Sequence, residues 1–297
     1  MSINTEAIRR SAVLVTFGGG YYNWKRRDRK AENEQAARHN IKGKAYETKK
    51  NLFTGCDHLM AQLKALITEA RAFHYDHTMP WPGAQAIIMN RLVPKYTKGI
   101  ADFQNRLEEL LVSLETEWPT MLVDAKAMLG AAYDPAQYPA IEDVKAACYI
   151  KAKFDPVPQP NDFDELQEVE QGIKDGIKLQ AQQDTTDAFN TAVMTGWDRL
   201  RAAISNAKDN LAKDPDEGQR FRTEWHGNLT SLLTIMNGLN ISNDQRLTDV
   251  AKECEDLIKY SADALKQSQT RRDEMLDRAE EIHSKLDGIF AGFGGAK

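Results

Sequence analysis

The feature that most constrains the fold is a long stretch without proline, between Pro160 and Pro215. Within it, apolar residues recur at three- and four-residue steps, the spacing that places them on one face of a helix. A continuous helix from Asp162 to about Lys213 would be about 75 Å long. Its apolar positions are Phe163, Leu166, Val169, Ile173, Ile177, Ala188, Trp197, Leu200, Ile204 and Leu211. Such a length predicts a mainly α-helical fold.

The segment after Pro215 has the same character. Residues 214–218 contain proline, glycine and three acidic residues and predict a turn. A medium helix is expected from Arg220 to Met236, ended by Gly238 in left-handed geometry. Ser242 is the predicted N-cap of a second long helix, which runs to about Asp287.

Both predicted long helices become polar in the middle, at Gln180–Asp187 and at Gln267–Glu274. These stretches indicate either exposed helix surface or the tip or hinge of an antiparallel helix pair. We therefore expect residues 159–297 to form an elongated, coiled-coil-like body of antiparallel long helices, with a flexible glycine-rich end at Gly292–Lys297.

Residues 1–158 predict a compact helical head. Amphipathic spacing indicates helices, and proline at Trp118-Pro119 is expected to break one of them, because proline lacks the backbone donor and restricts the preceding residue. An exposed, charged helix is expected at Lys25–His39. The amphipathic helices are predicted at Asp57–Tyr75, about Lys95–Glu117, Pro119–Leu129 and Ala140–Ala147.

Two short segments of the head predict strands. Ala12–Phe17 is rich in β-branched residues and precedes three glycines, and Tyr149–Phe154 alternates between two faces. Because one strand cannot satisfy its own backbone groups, the two are expected to pair as a two-stranded β element. The following Pro156–Pro160 segment predicts a stiff, extended linker between head and body.

Composition excludes several classes of protein. The chain has 297 residues, 41% of them hydrophobic, and a formal net charge of −5, values ordinary for a folded globular protein. The longest uncharged run, Ser11–Trp24, has 14 residues and is too short to span a membrane. With no secretion signal at the start and three widely spaced cysteines, we expect a cytoplasmic protein without a disulfide framework.

Three segments carry a family resemblance. They are the strand Ser11–Phe17 followed by Trp24–Lys30, the segment Phe73–Trp81, and Tyr138-Pro139 followed by Phe154–Phe163. In this order they resemble an uncharacterised family of phage and prophage proteins. Its members tend to be encoded near a MoxR-type AAA+ ATPase and a protein with a von Willebrand factor A domain. The resemblance covers roughly residues 9–165 and implies a phage accessory protein in the host cytoplasm, with one of these two proteins as partner. It supplies no catalytic residues.

Charge is unevenly distributed, since residues 1–50 contain twelve Lys/Arg and five Asp/Glu, a net of +7. The run of basic residues at positions 25–30 follows several aromatic residues, and this pattern suits phosphates and unpaired bases. A run of charges is more often a solvated helix face or a partner for another part of the same molecule, with Trp24 as an anchor to the core. The candidate contacts to an anionic partner or nucleic acid are Tyr22, Trp24, Lys25, Arg26, Arg27, Arg29 and Lys30.

Other groups of residues in the sequence do not predict a metal, phosphate-binding or catalytic site. His74 and His77 lie at a helix end, and a zinc site that added His58 would span about 24 Å of helix. The Gly18–Gly20 segment, expected to be a loop, lacks the Gly-Lys-Ser/Thr of a phosphate-binding loop. No triad or glycine-flanked serine is evident. We therefore expect no enzyme activity, no cofactor and no metal.

Two functions are consistent with the sequence. The first is a non-enzymatic helical adaptor or scaffold, which could also self-associate through its long helices. The alternative is a nucleic-acid-binding protein that uses the basic N-terminal segment. The long amphipathic helices and the absence of an evident site in the sequence favour the adaptor.

Overall fold

The computed structural model describes residues 5–42, 45–213, 222, 224–240 and 245–294, and within these ranges the protein is mainly α-helical, as predicted. The predicted turn at residues 214–218 and the predicted cap Ser242 lie outside these ranges. The helices are α1 Thr5–Ser11, α2 Arg29–His39, α3 Asp57–His77, α4 Val93–Leu129, α5 Ile141–Ala147, α6 Gln171–Leu211, α7 Glu224–Leu239, α8 Gln245–Leu257, α9 Ala262–Lys266 and α10 Gln269–Gly294.

The two predicted strands are neighbours in a larger sheet than expected. A four-stranded sheet has the order β4 (Met79–Trp81), β5 (Gln85–Met89), β1 (Ala12–Gly20) and β6 (Tyr149–Asp155). Strand β1 pairs antiparallel with β5 from Ala12↔Met89 to Val15↔Ala86. The strands β4 and β5 were not predicted, because the prolines and glycine of residues 80–83 indicate only the end of the preceding helix. Pro80 is tolerated because β4 is an edge strand, where a missing N–H leaves no ladder bond unmade. The strands are β1 Ala12–Gly20, β2 Lys25–Arg27, β3 Lys49–Asn51, β4 Met79–Trp81, β5 Gln85–Met89 and β6 Tyr149–Asp155.

The chain divides into two compact units that interleave along the sequence. The first contains residues 1–16, 74–96 and 153–297, and the second contains residues 17–73 and 97–152. The chain passes from the second unit to the first between residues 152 and 153, close to the predicted boundary at residue 158. It also passes between the units within β1, α3 and α4, and these three places lie inside the predicted head.

The first predicted long helix is present from Gln171 as α6, which is continuous for 41 residues through its polar middle. The predicted start at Asp162 is wrong, because residues 162–170 are not α-helical and Pro160–Phe163 forms a short 3-10 helix. Its burial begins only at Thr185 and then follows one stripe, which includes Phe189, Leu200 and Ile204. In the first unit α6 packs against α7 and α10. This apolar stripe is the tertiary reason that the helix stays continuous.

The second predicted long helix is wrong as a single element, because it is divided into α8, α9 and α10. There are two breaks, one at residues 258–261, before the predicted polar middle, and one at residues 267–268, at its start. Side chains satisfy backbone groups that these breaks free. Ser261 Oγ accepts from the Ala264 amide at the start of α9. The Arg272 guanidinium donates to the Leu265 carbonyl, 2.8 Å away, and His226 Nε2 lies 3.0 Å from the Tyr260 carbonyl. The backbone groups at a helix break need such partners. The spacing of apolar residues in the segment does not show whether they exist, so it did not predict the breaks.

The predicted break at Trp118-Pro119 is also wrong, since α4 continues through Pro119 for 37 residues. Its buried stripe crosses the proline: Leu114, Trp118, Met121 and Ala125 are all at most 7% exposed. Trp118 contacts the Phe53 ring edge-on at 5.0 Å. A proline inside a helix costs about 3 kcal/mol, and burial of this stripe on both sides of it offsets that cost.

The predicted linker at Pro156–Pro160 is part of the packed first unit. Val157 is fully buried, and Gln159 Nε2 donates to the Thr5 carbonyl at 2.9 Å. The predicted flexible end is helical up to Gly294, the last described residue. No helix in the described ranges combines the length and apolarity that crossing a membrane requires.

Candidate functional site

The basic segment forms a small two-stranded ribbon in the second unit. β2 pairs antiparallel with β3, with Arg26 opposite Lys50 and Arg27 opposite Lys49. We call β2 and β3 together the basic ribbon. Like charges directly opposite each other destabilise a strand pair, so this pairing concentrates positive charge at a cost to stability.

The predicted helix at Lys25–His39 is therefore wrong in its first four residues, because α2 begins at Arg29. Asp28 separates strand from helix: its side chain accepts from the Ala31 amide at 3.1 Å and caps α2. Its own amide donates to the Thr48 carbonyl at 2.8 Å, which continues the ribbon pairing. The partner strand is 22 residues further along the chain and has no apolar alternation, so a local pattern could not reveal it.

One of the predicted contact residues, Arg27, has a structural partner. Its Nε donates to both carboxylate oxygens of Glu32, at 2.8 and 2.7 Å. Glu32 is only 7% exposed and also accepts from the Thr48 amide at 3.0 Å. This buried carboxylate fixes α2 against the basic ribbon, and it leaves Arg27 less available to a ligand than its neighbours.

Apart from Lys49, the remaining cations of the ribbon and of the first turn of α2 form no ion pair with any described residue. Arg26 donates to the Tyr22 hydroxyl at 2.7 Å, and Lys50 Nζ donates to the Ala132 carbonyl at 2.7 Å, but both partners are uncharged. Lys49, by contrast, has a carboxylate partner in Glu47. The five cations without an ion pair are Lys25, Arg26, Arg29, Lys30 and Lys50. Each of the five side chains is exposed or half-exposed.

The aromatic residues before the ribbon have different roles. Tyr22 stacks on the buried Phe53 ring at 5.7 Å, so it anchors the ribbon to the core of this unit. Trp24 is half-buried, and its ring centroid lies 5.9 Å from that of Tyr21, which is 39% exposed. Tyr21, which the sequence analysis left out of the contact set, thus joins Trp24 as an accessible aromatic beside the cations.

A pocket of about 550 Å³ lies beside the basic ribbon. We call it the ribbon pocket. It was not predicted, because its walls come from residues about 80 to 100 positions apart in sequence. The lining residues are Arg27, Asp28, Arg29, Lys30, Ala31, Glu34, Lys50, Ala131, Ala132, Tyr133, Asp134 and Gln137.

The Gly18–Gly20 segment is the end of β1, and the predicted loop is wrong. A Cβ on Gly20 would lie 2.7 Å from the Tyr149 ring and 3.2 Å from the Ala147 carbonyl. Glycine is required there for close approach, so a role in cradling phosphate has no geometric support.

The histidines at the end of α3 belong to a buried cluster in the first unit. His74 Nδ1 lies 2.9 Å from the Tyr96 hydroxyl, and Arg199 Nη1 donates to the carbonyls of Tyr75 and Thr78 at 2.9 Å each. Burial, with smaller contributions from Arg199 and His77, lowers the pKa of His74 to about 4. His74 is therefore neutral at pH 7, and the helix C-terminus is capped by Arg199 instead.

The described residues present little reactive chemistry. All three cysteines are buried, and burial raises the pKa of Cys56 and of Cys254 to about 12 and also raises that of Cys148. These thiols are protonated at neutral pH and are poor nucleophiles. Within the described ranges, no group of three or more His, Cys, Asp or Glu side chains could hold a metal ion.

Comparison with protein families, with curated proteins and with solved structures gave no match for this chain.

Proposed function

We propose that this protein binds single-stranded nucleic acid through the basic ribbon and the first turn of α2. The observation that carries the proposal is the set of five cations without an ion pair in the basic ribbon and the first turn of α2, where a like-charge cross-strand pair is also retained. Phosphate groups would neutralise this charge and release condensed counterions. The accessible rings of Tyr21 and Trp24 favour single strands, because unpaired bases stack on aromatic side chains.

The test measures the salt dependence of binding to fluorescently labelled oligothymidine by anisotropy. The tested variant replaces the four cations of β2 and the first turn of α2 that form no ion pair with a described residue: Lys25→Ala, Arg26→Ala, Arg29→Ala and Lys30→Ala. For single strands each phosphate contact contributes about −0.7 to the slope of log K against log salt. We expect the variant to bind weakly, with a slope reduced by about 3, and to keep its melting temperature.

A matched control removes two exposed lysines of the same unit, Lys64→Ala and Lys126→Ala, on α3 and α4. Neither forms an ion pair with a described residue. The control should bind as the unchanged protein does. If the unchanged protein fails to bind single-stranded DNA and RNA at low salt, or if the control loses as much affinity as the tested variant, the proposal is wrong.

Trp24→Ala tests the aromatic part of the proposal. If Trp24 stacks on a base, the variant loses roughly 1–3 kcal/mol of single-strand binding free energy with an unchanged melting temperature. If Trp24 serves only as an anchor, unfolding free energy falls by about 3–5 kcal/mol. An equal loss of affinity for duplex DNA would argue against stacking.

A second candidate function is the helical adaptor, and the first third of α6 favours it. No residue between positions 171 and 184 is buried, and Ile173 and Leu179 are 55% and 57% exposed. Such a helical surface suits a protein partner or a coiled-coil-like pairing with a second copy. By resemblance, the partner would be the MoxR-type ATPase or the von Willebrand-type protein, in the cytoplasm of a phage host.

Co-purification with these two candidates tests the adaptor. Charged substitutions Ile173→Lys and Leu179→Lys should release the partner, whereas Asp175→Lys, between them on the same helix, should release it less. Recovery of neither candidate under conditions that retain known complexes would contradict this function.

A further inference from the structure

The ribbon pocket combines positive charge with an aromatic ring. Arg29 and Lys30 line it without an ion pair, and Lys50 lines it with its Nζ on the Ala132 carbonyl. Tyr133, half-buried, lines it from the segment after α4. Its volume of about 550 Å³ lies within the roughly 300–1,000 Å³ of small-molecule sites. Cations and one aromatic ring are the groups that recognise a phosphate and a base.

Three carboxylates also line the pocket, and two of them already accept hydrogen bonds. Asp28 accepts from the Ala31 amide, and Asp134 accepts from the Ala136 amide at 3.0 Å and from Gln137 Nε2 at 2.9 Å. These bonds hold the carboxylates at the start of their helical turns. Glu34, which forms no ion pair with a described residue, remains as an acceptor for a donor group of the ligand.

We propose that the ribbon pocket takes one nucleotide of the bound strand, with its phosphate on Arg29 and Lys30 and its base against Tyr133. This inference rests on the proposed function and adds to it a defined subsite. The basic ribbon then follows the phosphates of the neighbouring nucleotides. Glu34 accepts from the sugar or from the edge of the base.

Photochemical cross-linking on the unchanged protein tests the placement directly. Oligothymidine carrying 5-iodo-2′-deoxyuridine is irradiated with the protein, and the cross-linked peptides are identified by mass spectrometry. We expect a cross-link at Tyr133. This measurement does not depend on the folding of any variant.

Substitution of the ring gives the second measurement. Tyr133→Leu should lower the affinity for oligothymidine by roughly 5- to 150-fold, the loss of one stacked base, and Tyr133→Phe should retain it. Tyr75→Leu is the matched control, since Tyr75 is 55% exposed and does not line the pocket. It should bind as the unchanged protein does.

The outcomes separate the two proposals. If the strand binds, but cross-links occur only at Tyr21 or Trp24 and Tyr133→Leu binds normally, the pocket inference is overturned and the proposed function stands. If the unchanged protein does not bind single strands at all, the proposed function fails and the pocket inference fails with it.

Discussion

The basic ribbon and the buried histidine cluster (His74, Thr78, Tyr96 and Arg199) both contain several polar side chains. They differ in whether their charged groups have partners within the protein. In the cluster, Arg199 donates to two backbone carbonyls, and burial keeps His74 neutral. In the ribbon region, five cations have no ion pair with any described residue. Buried polar groups must be satisfied for the protein to fold, whereas exposed ones can stay available to a ligand. We therefore expect the cluster to contribute to stability, whereas the ribbon is the proposed binding surface.

The largest expected effect comes from removing the cap in the histidine cluster. Arg199→Met leaves two carbonyls at the end of α3 without their donor, and hydrogen bonds from charged groups contribute about 1.5–3 kcal/mol each. We expect unfolding free energy, measured by urea denaturation, to fall by about 3 kcal/mol, with single-strand affinity unchanged.

Arg201→Met on the same helix is the control. Arg201 forms an exposed ion pair with Asp287, and such pairs contribute about 0–1 kcal/mol. Equal losses of unfolding free energy in the two variants would show that Arg199 is not a structural cap. The contrast between the histidine cluster and the basic ribbon would then be wrong.

The second prediction concerns pH. The ordinary pKa of histidine is 6.5, and that of His74 in the folded chain is about 4. Between these values the unfolded chain takes up a proton that the folded chain does not. Unfolding free energy therefore falls as pH drops through this window, by about 2 kcal/mol from pH 7 to pH 5. Denaturation of the unchanged protein and of His74→Gln at several pH values measures the difference.

In His74→Gln, the fall in unfolding free energy between pH 7 and pH 5 should be smaller by this contribution of His74. Lysine and arginine side chains do not titrate in this range, so strand affinity should stay constant wherever the protein remains folded. A pH slope that persists fully in His74→Gln would assign the effect to other groups.

The third prediction tests the one buried carboxylate of the ribbon region. Glu32→Gln weakens the pair with Arg27, whose side chain is 44% exposed. Because the arginine is partly solvated, we expect a loss of about 1.5 kcal/mol, less than the 3–5 kcal/mol of fully buried pairs. Glu34→Gln, exposed on the same helix, should change stability by less than about 0.5 kcal/mol. A double-mutant cycle with Arg27→Met should show a coupling energy near the first value, and additive effects would contradict the pairing.

The smallest effect is expected from relieving repulsion in the ribbon. Arg26→Gln removes one of two like charges opposite each other while keeping a donor for the Tyr22 hydroxyl. Cross-strand charge pairs change stability by roughly 0.2–1 kcal/mol, so we expect a melting temperature that is unchanged or slightly higher, with weaker strand binding. A clear destabilisation would indicate that this cation serves the fold rather than a ligand.

The sequence by itself determined the features that depend on local periodicity. Repeats of 3.6 and of two residues are properties of neighbouring positions, so they can be recognised in the sequence. They predicted the helical class, the apolar stripes of α3 and α6, and the two strands Ala12–Phe17 and Tyr149–Phe154. The basic residues of the ribbon were also evident in the sequence.

Only the tertiary structure decided the rest. Pro119 stays inside a helix because Trp118 is buried, and the second long helix breaks because His226 and Arg272 satisfy its freed carbonyls. The basic ribbon exists because Lys49–Asn51 supplies the partner backbone for Lys25–Arg27, and the ribbon pocket exists because Tyr133 is brought beside them. These outcomes depend on contacts between residues far apart in the chain, and the free energy of such contacts outweighs local preference.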